Sequence, residues 1–335
     1  KKDVSHITSH VSPAIIVGTH ALLSEKLQLT KVGLVVIDEQ QRFGVEQRGR
    51  LRTKSDAGQT PHFLTMTATP IPRTVAKTLY SHLDLSLLAE MPKGRQKVKT
   101  WVVPKEKRER AYAWIRQQLK QWQTQAFIVC PLIEESESLQ TVKAATVEFE
   151  RLKKEVFPDL RLGLLHGRLK PKEKKGVIAR FRHQELDILV TTPVVEVGID
   201  IPDATIMLIE ASERFGLSQL HQLRGRVGRG LQASYCLLFT EMTDDRTFQR
   251  LKSLETIHNG PELAELDLKL RGPGELFGTK QHGLPELKIA SLADSEIIYQ
   301  SQQAVHKLME EDATLAQFPL LREKLEESKI EAVQD

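Results

Sequence analysis

DILVTTPVVEVGIDIPDATIMLIE, residues 187–210, holds two apolar runs, DILVTT (187–192) and TIMLIE (205–210), joined by a loop carrying Gly198 and Asp200. Both runs are short, β-rich and near-continuous rather than alternating, which marks strands buried on both faces of a parallel sheet. AIIVG (14–18), VGLVVID (32–38), HFLTM (62–66), AFIVC (126–130), LGLLH (162–166) and YCLLF (235–239) read the same way. Helical patterns lie between several of them. Residues 105–123 place Ala111, Trp114, Ile115, Leu119 and Trp122 on one stripe, and 139–156 do so with Leu139, Val142, Phe149, Leu152 and Val156. Pro171 opens a third helix that carries Val177, Ile178 and Phe181 inward. Strands alternating with helices imply an α/β architecture with ligands at the carboxyl ends of the strands.

A length of 335 residues accommodates two or three domains. MPKGRQKVKT (91–100) mixes Pro, Gly and basic residues without apolar periodicity and reads as a linker between two α/β lobes. The expected division is a first lobe over 1–92, a second over 93–243, and a mainly helical segment over 244–335. The last is broken by RGPGELFG (271–278) and ends in an acidic, solvated helix. Apolar residues at 40% and charged residues at 27% are ordinary for a soluble chain, while 5% aromatics argue against a binder built on base-stacking platforms. A net charge of +4 permits a polyanionic partner without demanding one. Cys130 and Cys236 each sit inside an apolar run, as buried reduced thiols do, and no run of about 18 apolar residues predicts a membrane span. The opening KKDVSHITSH has neither an initiator Met nor an apolar signal core, so the chain is expected to begin inside a larger protein.

Four stretches carry chemistry. LVVIDEQQRFG (34–44) ends a strand in Asp38 and Glu39, the geometry of a Walker B site. One carboxylate there reaches Mg²⁺ on a nucleotide and the next orients the attacking water; a solvated acidic turn is the competing reading. LTMTATPIPRT (64–74) sets Thr67, Ala68 and Thr69 at an adjacent strand end, where a Pro-rich turn is the alternative. The third is the 187–205 loop. In QLHQLRGRVGRG (219–230), Gln222, Arg226 and Arg229 are spaced four and three apart, so a helix would align them, with glycines letting the guanidiniums approach phosphates.

The order of these stretches, DE then TAT then VTT…GID then Q-x-x-GR-x-GR, resembles that of superfamily 2 helicases. DEQQRFG, MTATPIPRT, CPLIEESESL (130–139), LLHGRLKPKEK (164–174) and EVGIDIPDA together resemble the RecG family of branched-DNA helicases. So does LKLRGPGELFGTKQHG (268–283), a segment shared with the transcription-repair coupling factor. The resemblance spans essentially the whole chain. It implies two RecA-like lobes with parallel sheets, the first truncated at its N-terminus, followed by a small mainly helical segment. ATP with Mg²⁺ would lie between the lobes, with Asp38 on the metal, Glu39 on the water, and Gln222, Arg226 and Arg229 acting from across the cleft. Gly198 and Asp200 would line the nucleotide site, and Gln41, Thr67, Ala68, Thr69, Arg271 and Gln281 would couple its state to movement. Thr19, His20, His166, Gly167, Arg168 and Thr192 would meet DNA phosphates, though for His166 a satisfied structural histidine is the equal alternative.

The implied partner is branched double-stranded DNA handled by a monomeric motor in the bacterial cytosol or nucleoid, with single-strand binding protein as a further partner. Three departures qualify this. Gln41 stands where relatives carry His, and an amide cannot titrate near neutral pH. No G-x-x-x-x-G-K-[ST] phosphate loop, and no Gly-Lys dipeptide, occurs in the 335 residues. The amino-terminal wedge domain that splits branch points has no counterpart either. The chain by itself is therefore expected to be ATPase-deficient. A coupling-factor motor and a catalytically silent DNA-binding module are the alternatives.

Overall fold

The structure, a computed structural model, describes residues 15–23, 32–40, 61–68, 84–88, 90, 96–131, 138–193, 201–230, 232–242, 244–271 and 295–329. The chain divides into two compact units. One holds Lys1–Thr69 with Gly283–Pro285 and Gln303–Asp335; the other holds Pro70–His282 with Glu286–Gln302.

In the first unit, β1 (Leu34–Ile37) and β2 (His62–Thr65) pair in parallel, Leu34 opposite His62 and Ile37 opposite Thr65. Pairing continues past the strand ends, with Met66 N–H donating to Ile37 O (2.7 Å) and Gln40 N–H to Met66 O (3.0 Å). AIIVG is not the expected strand: residues 15–18 take no regular structure, Ile15 and Val17 are exposed, and a 3₁₀ turn follows at His20–Leu23. Branched apolar residues suit a pleated surface only where a neighbouring strand supplies the ladder, and among the described residues none pairs with this run.

The second unit is built on a six-stranded sheet, parallel throughout. Its strands are β3 (Lys99–Pro104), β4 (Gln125–Val129), β5 (Leu162–Leu165), β6 (Ile188–Thr191), β7 (Ala204–Ile209) and β8 (Tyr235–Thr240), in the order β3-β8-β7-β4-β6-β5. β3 lies partly inside the stretch read as linker: Lys99 and Thr100 already oppose Tyr235 and Cys236. It escaped notice because it is an edge strand with exposed Lys99 and Trp101, so it lacks the continuous apolar run of the inner strands. The Val102 N–H donates to Glu255 Oε1 (2.9 Å) instead of to another strand, which blunts the edge.

Both faces are covered, which explains the unbroken apolar runs. α1 (Arg108–Trp122) and α2 (Ser138–Arg151, continued by a π turn at Leu152–Val156) bury Ile115, Leu119, Ala145 and Leu152 against Ala126 and Ile128 of β4. α3 (Pro171–Arg182), α4 (Leu217–Arg224), α5 (Asp245–Thr256) and α6 (Gly260–Arg271) bury Phe181, Leu220, Leu251 and Leu263 with Phe127 and Val129 of the same strand. Each fully buried large side chain contributes about 1.5–3 kcal/mol of transfer free energy.

The α1 stripe is rotated from expectation. Tyr112 is buried, whereas Trp122 is 59% exposed at the last helical position, before Gln123 turns left-handed. Phe181 is buried, and Val177 and Ile178 pack partly against the same core. The side chains of Leu139 and Val142 lie outside the described residues. Cys130 and Cys236 are buried free thiols, and burial raises both, Cys236 to about 12, so neither is a thiolate at neutral pH. α7 (Ser295–Glu311) and α8 (Pro319–Lys329) are the remaining helices among the described residues after 243. No described helix is long and apolar enough to cross a membrane.

Candidate functional site

At the carboxyl end of β1 the chain turns sharply. Glu39 takes a left-handed conformation (φ 53°), and its N–H donates to Asp38 Oδ1 (2.9 Å). Asp38 is exposed and Glu39 half-buried, and both carboxylates stand at the strand end. The parallel register brings Met66, Thr67 and Ala68 to the same edge, tied there by the Met66 and Gln40 hydrogen bonds. An exposed carboxylate is a hard oxygen donor that suits Mg²⁺. Among the described residues no group of three or more metal-ligating side chains exists; an ion held by Asp38 would take its other ligands from nucleotide phosphates and water. Asp38 thus fits the metal role. Gln41 and Thr69 lie outside the described residues.

The arginine segment departs from expectation in two ways. α4 ends at Arg224, and two 3₁₀-type bonds follow, Arg226 N–H to Leu223 O (3.0 Å) and Val227 N–H to Arg224 O (3.3 Å). Gly228 then adopts φ +75°. Gln222, Arg226 and Arg229 therefore do not share one helix face: Gln222 is on α4, Arg226 on the tight turn and Arg229 beyond the left-handed glycine. The second departure is their edge of the sheet. A Cβ on Gly228 would lie 2.9 Å from Val98 Cγ2, and one on Gly230 would lie 3.0 Å from Pro202 O. Val98 and Pro202 precede β3 and β7, so this segment packs at the amino edge, not the carboxyl edge expected of ligand sites. Gly228→Ala combines positive φ with that close approach, and about 1–3 kcal/mol of stability should be lost. Urea unfolding of the chain measures it.

Sequence reading missed what anchors α4. The N–H of Leu217 donates to Asp267 Oδ2 of α6 (2.9 Å). Arg250 of α5, also buried, donates to Phe215 O (2.9 Å) and Glu213 O (2.8 Å) and lies 3.8 Å from Asp267 Oδ1. Arg224, although inside the arginine motif, is 4% exposed and donates to Leu254 O and Ile257 O. It braces the helix rather than meeting a ligand. The detectable signal was a charge at an apolar-phase position, as in AELDLKL (264–270).

The residues assigned to DNA backbone contact stay at the carboxyl edge. His166, Gly167 and Arg168 follow β5, Thr192 follows β6, and Thr192 N–H donates to Leu165 O (3.3 Å). Lys174 Nζ donates to Gly167 O (2.5 Å). His166 Nδ1 is buried without a hydrogen-bond partner. Burial first, then repulsion from Lys174, holds the imidazole below its ordinary 6.5; Glu173 pulls the other way and Arg168 adds a smaller push downward. The folded state therefore favours neutral His166, and this contribution to stability is lost as pH falls through the unfolded-state value. An NMR titration of the His166 ring should give a midpoint below 6.5; a midpoint above it would contradict the assignment.

Thr19 opens the 3₁₀ turn, its carbonyl accepting from Leu22 N–H (2.9 Å). Arg271 ends α6. The side chains of His20 and Arg271, and all of Gly198, Asp200 and Gln281, lie outside the described residues.

Three family models match the chain: DEAD/DEAH box helicase over residues 1–78, helicase conserved C-terminal domain over 107–230, and "ATP-dependent DNA helicase RecG, domain 3, C-terminal" over 257–334. The ATP-dependent DNA helicase RecG of Synechocystis sp. is 50% identical over 312 residues, covering 93% of this chain and 37% of that protein. The Bacillus subtilis protein of the same name is 43% identical, over 94% of this chain and 46% of its own length. A solved structure of RecG bound to a three-way DNA junction matches with a TM-score of 0.64 at 44% identity, covering 84% of this chain and 35% of that one. The chain thus spans less than half the length of these relatives.

Proposed function

The chain belongs to the RecG family of DNA helicases, and from that premise we propose that it supplies most of the motor of an ATP-driven helicase that remodels branched DNA in recombination and repair. The observation that carries the reading is the Asp38–Glu39 pair, held by a left-handed turn at the carboxyl end of a parallel strand with Thr67 beside it. Bound ATP·Mg²⁺ would supply the transferable phosphoryl group and the charge-neutralising ion. Asp38 would hold the metal, and Glu39 would orient and deprotonate the attacking water. Arg226 and Arg229 would neutralise charge developing on the phosphoryl oxygens, with Gln222 beside the γ-phosphate, and Gly198 and Asp200 would line the nucleotide. Gln41, Thr67, Ala68 and Thr69 would report nucleotide state to the lobes, and Arg271 and Gln281 would pass it to the duplex. Thr19, His20, His166, Gly167, Arg168 and Thr192 would hold DNA phosphates, contacts that position without reading sequence.

The same reading includes the division into 1–92, 93–243 and 244–335, a monomeric motor, a cytoplasmic setting and single-strand binding protein as a partner. The family match over 257–334 favours this motor over that of the coupling factor.

The 335 residues hold no Gly-Lys dipeptide and hence no phosphate-loop lysine. Without that lysine and its backbone N–H cradle, phosphate binding loses several kcal/mol. The expected result is no measurable ATP turnover by the 335-residue chain, beside DNA-stimulated turnover by the full-length protein that is higher on a forked duplex than on a linear one. A full-length protein inert on both substrates would overturn the helicase reading. Turnover by the chain alone would overturn the claim of deficiency.

A further inference from the structure

All three tryptophans of this aromatic-poor chain stand on the α1 side of the second sheet, at its outer edge. Trp101 stacks on Tyr235 with ring centroids 5.4 Å apart, and Trp114 meets both edge-on at 5.6 and 5.0 Å. Beside them opens a recess of about 210 Å³ lined by Gln118, Trp122, Thr124, Thr205, Gln232 and Tyr235. It sits at the amino edge: Thr124 precedes β4, Thr205 is the second residue of β7, and Gln232 comes just before β8.

Its chemistry is unusual for a surface dimple. Gln118, Thr124, Thr205 and Gln232 have polar side chains that hydrogen-bond to no other residue among those described. Two of them, Thr124 and Thr205, are only 6% and 5% exposed. Buried polar groups are normally paired, so the two threonines point to a ligand or to water, with half-buried Gln118 and exposed Gln232 beside them at the opening. None of the lining residues is charged, so whatever enters is neutral there. Amides and hydroxyls both donate and accept, which suits a group carrying both kinds of site on one edge. Trp122, more than half exposed, and Tyr235 offer ring surface. The volume lies below the roughly 300–1,000 Å³ of pockets that enclose whole drug-sized molecules, so one ring system fits and its substituents stay outside. Lys99 is exposed, with its Nζ 6.0 Å from the centroid of Tyr235, the ring that lines the recess.

We propose that this recess receives a single unpaired nucleobase, stacked on Trp122 and read loosely by the Gln118 and Gln232 amides and the two threonine hydroxyls. The base could come from an exposed DNA strand or from a free nucleotide. The site lies wholly within the second unit and does not depend on ATP hydrolysis, so its failure and that of the helicase reading are separable.

The test uses the 335-residue chain and fluorescence anisotropy of a labelled oligothymidylate of about 12 nucleotides, within the length one single-strand module covers. An abasic oligonucleotide of equal length serves as the backbone-only probe, and AMP as the free-nucleotide probe. Base stacking contributes about 1–3 kcal/mol, so Trp122→Ala should weaken oligothymidylate binding about tenfold and leave abasic binding unchanged. Gln118→Ala with Gln232→Ala, which leaves the rings in place, should weaken it by a smaller factor in the same direction. Quenching of the tryptophan fluorescence by AMP, with competition against the oligonucleotide, assigns the site to free nucleotides; quenching by the oligonucleotide alone assigns it to a strand. Equal affinity for abasic and base-bearing oligonucleotides, or Trp122→Ala binding as the unaltered chain does, overturns the proposal.

Discussion

Arg229→Ala in the full-length protein should lower DNA-stimulated ATP hydrolysis by about a thousandfold, the low end of what an arginine acting on a transferring phosphoryl group contributes. Arg229 is exposed and follows Gly228, whose left-handed backbone turns the chain out of the α4 end and against Val98. The guanidinium is thereby projected from the amino edge by backbone geometry, not by a helix face. Lost transition-state neutralisation lowers kcat with little change in KM. Arg229→Lys should recover little, because an ammonium cannot reproduce the planar fork of donors. Steady-state ATPase on forked DNA measures this, and a variant within tenfold of the unaltered protein would remove Arg229 from the catalytic set. Arg224→Ala, one turn earlier, should act differently. Arg224 is buried against Leu254 O and Ile257 O, so its loss shows in unfolding before it shows in kcat.

The second large effect concerns stability. Asp267→Ala removes the acceptor for the Leu217 N–H at the start of α4 and leaves Arg250 buried without its nearby carboxylate. Breaking a buried pair from one side costs about 3–5 kcal/mol, a large part of the stability of a single domain. The expected result is a matching fall in unfolding free energy, read by urea denaturation, and partial recovery with Asp267→Asn, which keeps an acceptor for Leu217. A loss below about 1 kcal/mol, the scale of a simple helix cap, would mean that Arg250 is satisfied by the Phe215 and Glu213 carbonyls alone.

Fold class and most strand positions were legible because burial on both faces leaves a direct mark on composition. β4, β6, β7 and β8 all fall where short apolar runs predict them. β3 was not legible, because an edge strand keeps polar residues on its open side and resembles a linker. AIIVG shows the converse: apolar, β-branched residues without a neighbouring strand do not form one. In the site, DE after an apolar strand located the carboxylates, since a two-residue motif at a strand end needs only local geometry. The spacing of Gln222, Arg226 and Arg229 misled, because helical periodicity assumes a helix that Gly225 and Gly228 in fact end.

The sequence by itself determined the parallel α/β class, the identity of the charged groups and their order along the chain, all of which follow from local composition. Tertiary structure decided the rest, because edge and face depend on which strands become neighbours. It placed the arginine turn at the amino edge and the His166–Thr192 group at the carboxyl edge. It turned Arg224, Arg250 and Asp267 inward as braces. It also gathered Trp101, Trp114 and Trp122, separated by up to 21 positions, at one edge of the sheet, with Trp122 lining a recess there, although an aromatic content of 5% argues against base-stacking platforms. Composition counts residues over the whole chain, whereas a binding surface needs only a few of them brought to one place by packing.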